Sequence, residues 1–140
     1  MQADAHVGAG GVAQVTAHKV AQWRAEFGDL HIANRTPAKA EAIVAGIRAR
    51  GHLDGTDMAV HALDGMDKAA VIALIREVQA GIVINVGSPF INMTVLEACI
   101  ETGAAYMDTA IHEDPDKICE AAPWYANYEW KRREACDAAG

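Results

Sequence analysis

Apolar positions along this chain follow two periods in alternation: short continuous runs, and stretches in which they recur every three to four residues. Leu30-His31-Ile32-Ala33 is a strand candidate. A helix follows it, with the Thr36 hydroxyl as N-cap, Pro37 in the first turn, and Ala40, Ile43, Val44 and Ile47 on one face. Gly51 ends that helix. Met58 to Leu63 reads as the next strand. Val71, Leu74, Ile75 and Val78 give a second one-sided helix, opened near Asp67 and closed by Gly81. Ile82-Val83-Ile84-Asn85-Val86 is a β-branched run of the kind a sheet covers on both faces. Met93, Leu96 and Ile100 mark a further helix ending at Gly103. Ala105 to Asp108 is a last short strand, and beyond Asp114-Pro115 the pattern is helical to the end. Strands alternating with helices predict one α/β domain, a doubly wound parallel sheet with right-handed crossovers in a three-layer αβα arrangement.

At the amino terminus, Gln2 to Val7 takes the place of the first strand, although Asp4 and His6 stand where apolar residues belong. An unpartnered buried group there costs on the order of 1–3 kcal/mol. Gly8-Ala9-Gly10-Gly11-Val12-Ala13 follows and fits G-x-G-x-x-G/A, with Ala13 in the third position. Gly8 suits the tight strand-to-helix turn, Gly10 admits a pyrophosphate against the backbone, and Ala13 lets the helix pack closely. The helix starting near Gly11 then presents N–H groups and its positive end to the phosphates. Val20, Trp23 and Phe27 fall on one side of that helix. A plain turn without a ligand is the competing reading of the motif; the βαβ context favours a dinucleotide.

The end of the second strand reads Ala33-Asn34-Arg35-Thr36, with no carboxylate to accept from a ribose 2′-hydroxyl. Arg35 offers instead a planar fork suited to a 2′-phosphate, and Thr36 adds a hydroxyl. These residues point to NADP(H) over NAD(H), against the alternative of a solvated arginine beside a simple helix cap.

Composition narrows the partners. The 140 residues are 51% hydrophobic and 22% charged, with net charge −7 and a pI near 5.2. That acidity argues against a nucleic-acid surface or an anionic membrane. No apolar run reaches bilayer length, and the N-terminus lacks a basic-then-apolar leader pattern. The chain is expected to be cytoplasmic. Cys99, Cys119 and Cys136 are too sparse for a disulfide framework or zinc site. His6, His18, His31, His52, His61 and His112 show no metal-ligand spacing, and no metal is expected. His112-Glu113-Asp114-Pro115-Asp116 reads as an acidic turn capping a helix that begins at Pro115. His18 and Lys19 are expected on the surface. Trp124, Tyr125, Tyr128 and Trp130 form an aromatic cluster suited to packing on a core or partner, and exposed in part it would promote association.

Taken together, GAGGVAQVTAHKVAQ, LHIANRTPAKAEAI, IVINVGSPFINMTVLEACIETGAAYMDTA and YEWKRREACDAAG resemble the saccharopine dehydrogenase family over nearly the whole chain. Within it they are most similar to the branch acting in polyamine synthesis. The resemblance implies a Rossmann-type NADP(H)-binding domain of an oxidoreductase. Such an enzyme reduces the imine of a diamine and aspartate semialdehyde, a small-molecule substrate, to carboxynorspermidine or carboxyspermidine. It implies a pyrophosphate loop of Gly8, Ala9, Gly10, Gly11 and Val12, and a 2′-phosphate site of Arg35 and Thr36 beside Asn34. Asp64 is then expected near the adenine. Val86, Gly87 and Ser88 are expected on the nicotinamide side, and Asp108, Thr109 and Ala110 near the nicotinamide and substrate cleft. The family's substrate-binding and dimerising domain is expected beyond Gly140, with a homodimer as the full-length form. No catalytic acid is assigned. A stand-alone dinucleotide-sensing module is the alternative, although Arg35 replaces the acidic residue that an NAD sensor would keep.

Overall fold

The computed structural model describes residues 3–51, 58–117, 121 and 128–140. Five strands form one sheet: β1 (Ala3–Val7), β2 (Leu30–Asn34), β3 (Met58–Ala62), β4 (Ala80–Asn85) and β5 (Ala105–Asp108). All neighbours pair in parallel, in the order β3-β2-β1-β4-β5. The chain therefore winds outward from β1 through β2 to β3, crosses back, and winds outward again through β4 to β5. The switch point lies between β1 and β4, where such sheets bind ligands. The helices are α1 (Gly11–Gln22), α2 (Arg24–Phe27), α3 (Pro37–Ala49), α4 (Lys68–Val78), α5 (Asn92–Thr102) and α6 (Arg133–Ala139), with 3₁₀ turns at Pro89–Ile91 and Trp130–Arg132. No helix among the described residues is long and apolar enough to cross a membrane.

Alternate residues of each strand feed two cores. On one face Leu30, Ile32 and Ile84 meet α1 and α3. On the other Val7, Ala33 and Val83 meet α4 and α5. The inner stripe of α1 is Ala13, Ala17 and Ala21, one residue per turn, which brings its axis close to the sheet. Arg132 Nε donates to Glu97 on α5 at 2.9 Å and its Nη1 to the Tyr128 carbonyl at 2.9 Å, fixing the last helical segment against α5.

The five expected strands and the helices between them are present, with differences that have local causes; the helical reading of residues 118–120 and 122–127 lies outside the described residues. The helix opened by Asp67, whose carboxylate accepts from Ala70 N–H at 3.0 Å, closes at Gln79 and not at Gly81. Gln79 itself takes the left-handed conformation at φ 53°, so Ala80 and Gly81 are already strand. Thr36 caps α3 by position only, for its hydroxyl makes no capping bond. Trp23 closes α1 and α2 starts at once, so the one-sided pattern of Val20, Trp23 and Phe27 breaks. Val20 is buried, whereas Trp23 and Phe27 are exposed. His18 is buried, not on the surface, because its ring packs against α3 beside Gly46. Asp114 to Lys117 is a turn in which Asp114 Oδ1 accepts from Asp116 N–H at 2.9 Å, so Pro115 does not start a helix. Trp130 is exposed, with the Arg133 guanidinium over its ring. The side chains of Asp4 and His6, and all of His52, Cys119, Trp124 and Tyr125, lie outside what the structure describes.

His31 and His61 on adjacent strands share a contact of 2.9 Å between Nδ1 and Nε2. Burial pushes the His31 pKa below its ordinary 6.5, and a charge on His61 pushes the same way, while Asp29 and Glu77 oppose. The unfolded chain thus binds a proton there more readily than the folded one. The stabilisation is complete above the ordinary histidine pKa and is lost as pH falls below it. Urea midpoints should fall between pH 7.5 and 5.5, and more steeply for wild type than for His31→Gln. A second expected outcome concerns Gln79→Gly: relief of the left-handed strain should raise unfolding free energy by about 1 kcal/mol.

Candidate dinucleotide site

The site begins where β1 and β4 end. Gly8 sits at φ 118°, and a Cβ on it would lie 2.8 Å from the Gly87 nitrogen and 2.9 Å from the Val86 carbonyl carbon. Only glycine fits, on both counts. Gly8 N–H donates to the Ala33 carbonyl at 2.9 Å and Val86 N–H to the Val7 carbonyl at 2.9 Å, which extends both ladders into the turn. Gly10 and Gly11 differ in kind. A Cβ on either would meet nothing within 4 Å. The protein's own packing sets no demand for glycine there, and the open space suits a group from outside. Gly10 is the N-cap, and the first helical bond runs from Gln14 N–H to its carbonyl at 3.0 Å. The N–H groups of Gly11, Val12 and Ala13 therefore have no acceptor within the helix, and the helix dipole adds positive potential at the same place.

Beside this loop a cleft of about 280 Å³ crosses the carboxyl ends of four strands. Gly8, Asn34, Arg35, Asp64, Gly87 and Ser88 line it. Asn34 Nδ2 donates to the Thr36 carbonyl at 2.9 Å, which folds the turn and leaves Arg35 exposed where it lines the cleft; Thr36 is exposed but does not line it. Among the described residues no carboxylate pairs with Arg35. Asp64 lines the cleft and also holds its own turn, accepting from Met66 N–H at 3.1 Å. Gly87 and Ser88 are exposed on the β4 side, while Val86 is buried beneath them. Ser88 Oγ accepts from Phe90 N–H at 3.4 Å. Ile91 packs so tightly under both loops that a Cβ on Gly65 would approach its Cδ1 to 2.7 Å and one on Gly87 to 3.1 Å.

The residues at the end of β5 stand apart from this cleft. Asp108 lines a second, larger cavity of about 480 Å³ on the outer side of β5, with Leu96, Cys99, Tyr106 and Cys136. Among the described residues that line this cavity, none belongs to the glycine loop or to the first turn of a helix. Burial raises the Asp108 carboxyl above the ordinary carboxylate value, while the Tyr106 hydroxyl, donating to its Oδ2 at 2.8 Å, opposes the shift. Burial also raises the Tyr106 phenol and pushes the Cys99 thiol up to about 12. Thr109 is exposed, and Ala110 is joined by its carbonyl to Asn92 Nδ2. Residues 5–140 match the family described as saccharopine dehydrogenase NADP binding domain.

The chain belongs to that family. Carboxynorspermidine synthase of Vibrio alginolyticus is 38% identical over 136 residues, covering 96% of this chain and 33% of that protein. The protein of the same name in Vibrio cholerae is 34% identical, with the same coverage. Carboxyaminopropylagmatine dehydrogenase of Synechocystis is 35% identical over 129 residues, 92% of this chain and 31% of that protein. The chain thus spans about a third of the length of these relatives. Among solved structures, apo saccharopine dehydrogenase (L-Glu forming) of Saccharomyces cerevisiae superposes with a TM-score of 0.64 at 18% identity, over 91% of this chain and 24% of that one. That likeness establishes the fold.

Leu63, Gly65, Met66, Phe90 and Ile91 also line the cleft, although the sequence marked none of them as site residues. Only their places just after β3 and β4 could have indicated them. The two kinds of glycine make separable predictions for this NADP-binding domain. Gly8→Ala should lower unfolding free energy by about 2 kcal/mol or more, from forced φ and backbone collision. Gly10→Ala should change stability by less than about 1 kcal/mol and yet weaken NADPH binding. Urea melts and NADPH titrations on the two variants check the contrast.

Proposed function

We propose that this domain binds NADPH with the pyrophosphate on the Gly8–Val12 loop and the 2′-phosphate at Arg35 and Thr36, and that it serves an oxidoreductase reducing an imine. The observation that carries the reading is the pairing of open space at Gly10 with an arginine that no described carboxylate neutralises. A second phosphate needs such a cation, and the end of β2 lacks the carboxylate that usually accepts from a ribose 2′-hydroxyl. Asp64 and the Leu63–Met66 turn border the adenine end. Val86, Gly87 and Ser88 face the nicotinamide side, with Asp108, Thr109 and Ala110 beyond.

When bound, NADPH supplies the hydride; the protein supplies placement. The loop amides and Arg35 hold the diphosphate and adenosine, and the close-packed Gly87 leaves the β4 side of the crevice free of side-chain bulk. The substrate in this reading is the imine formed between a diamine and aspartate semialdehyde; what supports it is the family resemblance together with the name carboxynorspermidine synthase carried by the two Vibrio relatives. Groups that recognise the two substrate portions would come from the length those relatives have beyond this domain.

Calorimetric titration with NADPH and NADH at matched ionic strength tests the cofactor assignment. Wild type should prefer NADPH. Arg35→Ala should weaken NADPH by roughly tenfold to a hundredfold, the worth of a charged hydrogen-bonded pair, and leave NADH unchanged. Equal loss for both cofactors, or none for either, would remove Arg35 from the 2′-phosphate site.

A further inference from the structure

Two amides are buried beneath the carboxyl ends of β4 and β5, where apolar side chains could fill the same space. Asn85, the last residue of β4, and Asn92, the first of α5, are each 2% exposed. Asn85 Nδ2 donates to Asn92 Oδ1 at 2.8 Å. Asn85 Oδ1 accepts from the N–H of Gly87 at 3.1 Å. Asn92 Nδ2 donates to the carbonyl of Ala110. The Tyr106 hydroxyl, 3.5 Å from Asn85 Nδ2, donates to Asp108 and closes the set.

Such a pair yields little net stability, because each amide gives up water to gain its partner. It yields a fixed geometry instead. One arm ends on the Gly87 peptide, the same peptide against which Gly8 turns. The other ends on Ala110, just past β5. Two segments from different strands are thereby held at one separation through two side chains. The adenosine end has independent supports: Asn34 Nδ2 to the Thr36 carbonyl, and Asp64 to Met66 N–H.

We propose that Asn85 and Asn92 are positioning residues for the nicotinamide half of the bound cofactor: by fixing the Gly87 peptide and the Ala110 carbonyl they set affinity for that half and not for the adenosine half. The proposal rests on the cofactor reading above. It deepens that reading by giving a role to residues that touch no part of the cleft's adenosine end.

Wild type, Asn85→Ala and Asn92→Ala are titrated with NADPH and, separately, with 2′,5′-ADP, which carries the 2′-phosphate and lacks the nicotinamide. In both variants NADPH affinity should fall about tenfold, 2′,5′-ADP affinity should stay within twofold, and the fluorescence of bound NADPH should move toward that of the free cofactor. Asn92→Asp, which keeps the side-chain shape and the acceptor but not the donor to Ala110, should show the same selective loss and serves where the alanine variants do not fold. A parallel loss of both nucleotides, or of neither, would overturn the positioning role while leaving the cofactor reading in place. Failure of wild type to bind either nucleotide would overturn both.

Discussion

The ends of β1 and β4 approach so closely at Gly8 and Gly87 that the space between them admits no methyl group. Everything at the carboxyl edge of the sheet follows from that approach. It requires a left-handed turn at Gly8, which redirects the chain from the central strand into α1. It places the N-terminus of α1 beside the switch point, where outward winding on one side gives way to outward winding on the other. It also requires α1 to lie low on the sheet, which its stripe of alanines permits. A single backbone contact thus links the sheet's topology to the position of the phosphate loop.

Around that contact the structure divides labour between groups that satisfy the protein and groups left for a ligand. Gly8, Ile91 and the Asn85–Asn92 pair are committed internally by collision, packing or hydrogen bonds. Gly10, Gly11, the first α1 amides and Arg35 are not consumed by the fold. In the proposed reading a dinucleotide would join these loose ends: its diphosphate needs N–H donors and room, and its 2′-phosphate needs a planar cation. The membership of the chain in an NADP-binding domain family agrees with this division.

Much of the architecture was legible in the sequence because its signals are local. The run at Ile82–Val86, the stripe at Ala40, Ile43, Val44 and Ile47, and the glycines at 51 and 103 each report a period or a backbone conformation that neighbouring residues determine. The misread positions depend on tertiary context. Gln79 adopts a conformation for which glycine two residues later looked the better candidate. The apolar spacing at Trp23 and Phe27 continues the pattern of α1 after the helix has already ended. His18 is buried because α1 and α3 pack together there, its ring lying against α3 at Gly46. In the cleft, the loop, Asn34 and Arg35 could be placed from spacing after their strands, and Asp64 from the family resemblance. The link from Asn85 through Asn92 to Ala110 could not, since it joins three elements through side chains; its one sequence trace is a polar residue closing a β-branched run.

The central claim is spatial: cofactor binds across the switch point and not in the larger cavity outside β5. Backbone amide chemical shifts of the ¹⁵N-labelled chain, recorded through a titration with NADPH, test it directly. The account predicts shifts concentrated at residues 8–13, 34–36, 63–66 and 86–88, with Cys136 and Ala139 unmoved. Shifts gathered at Leu96, Ile100 and the last helix, with the glycine loop silent, would contradict it.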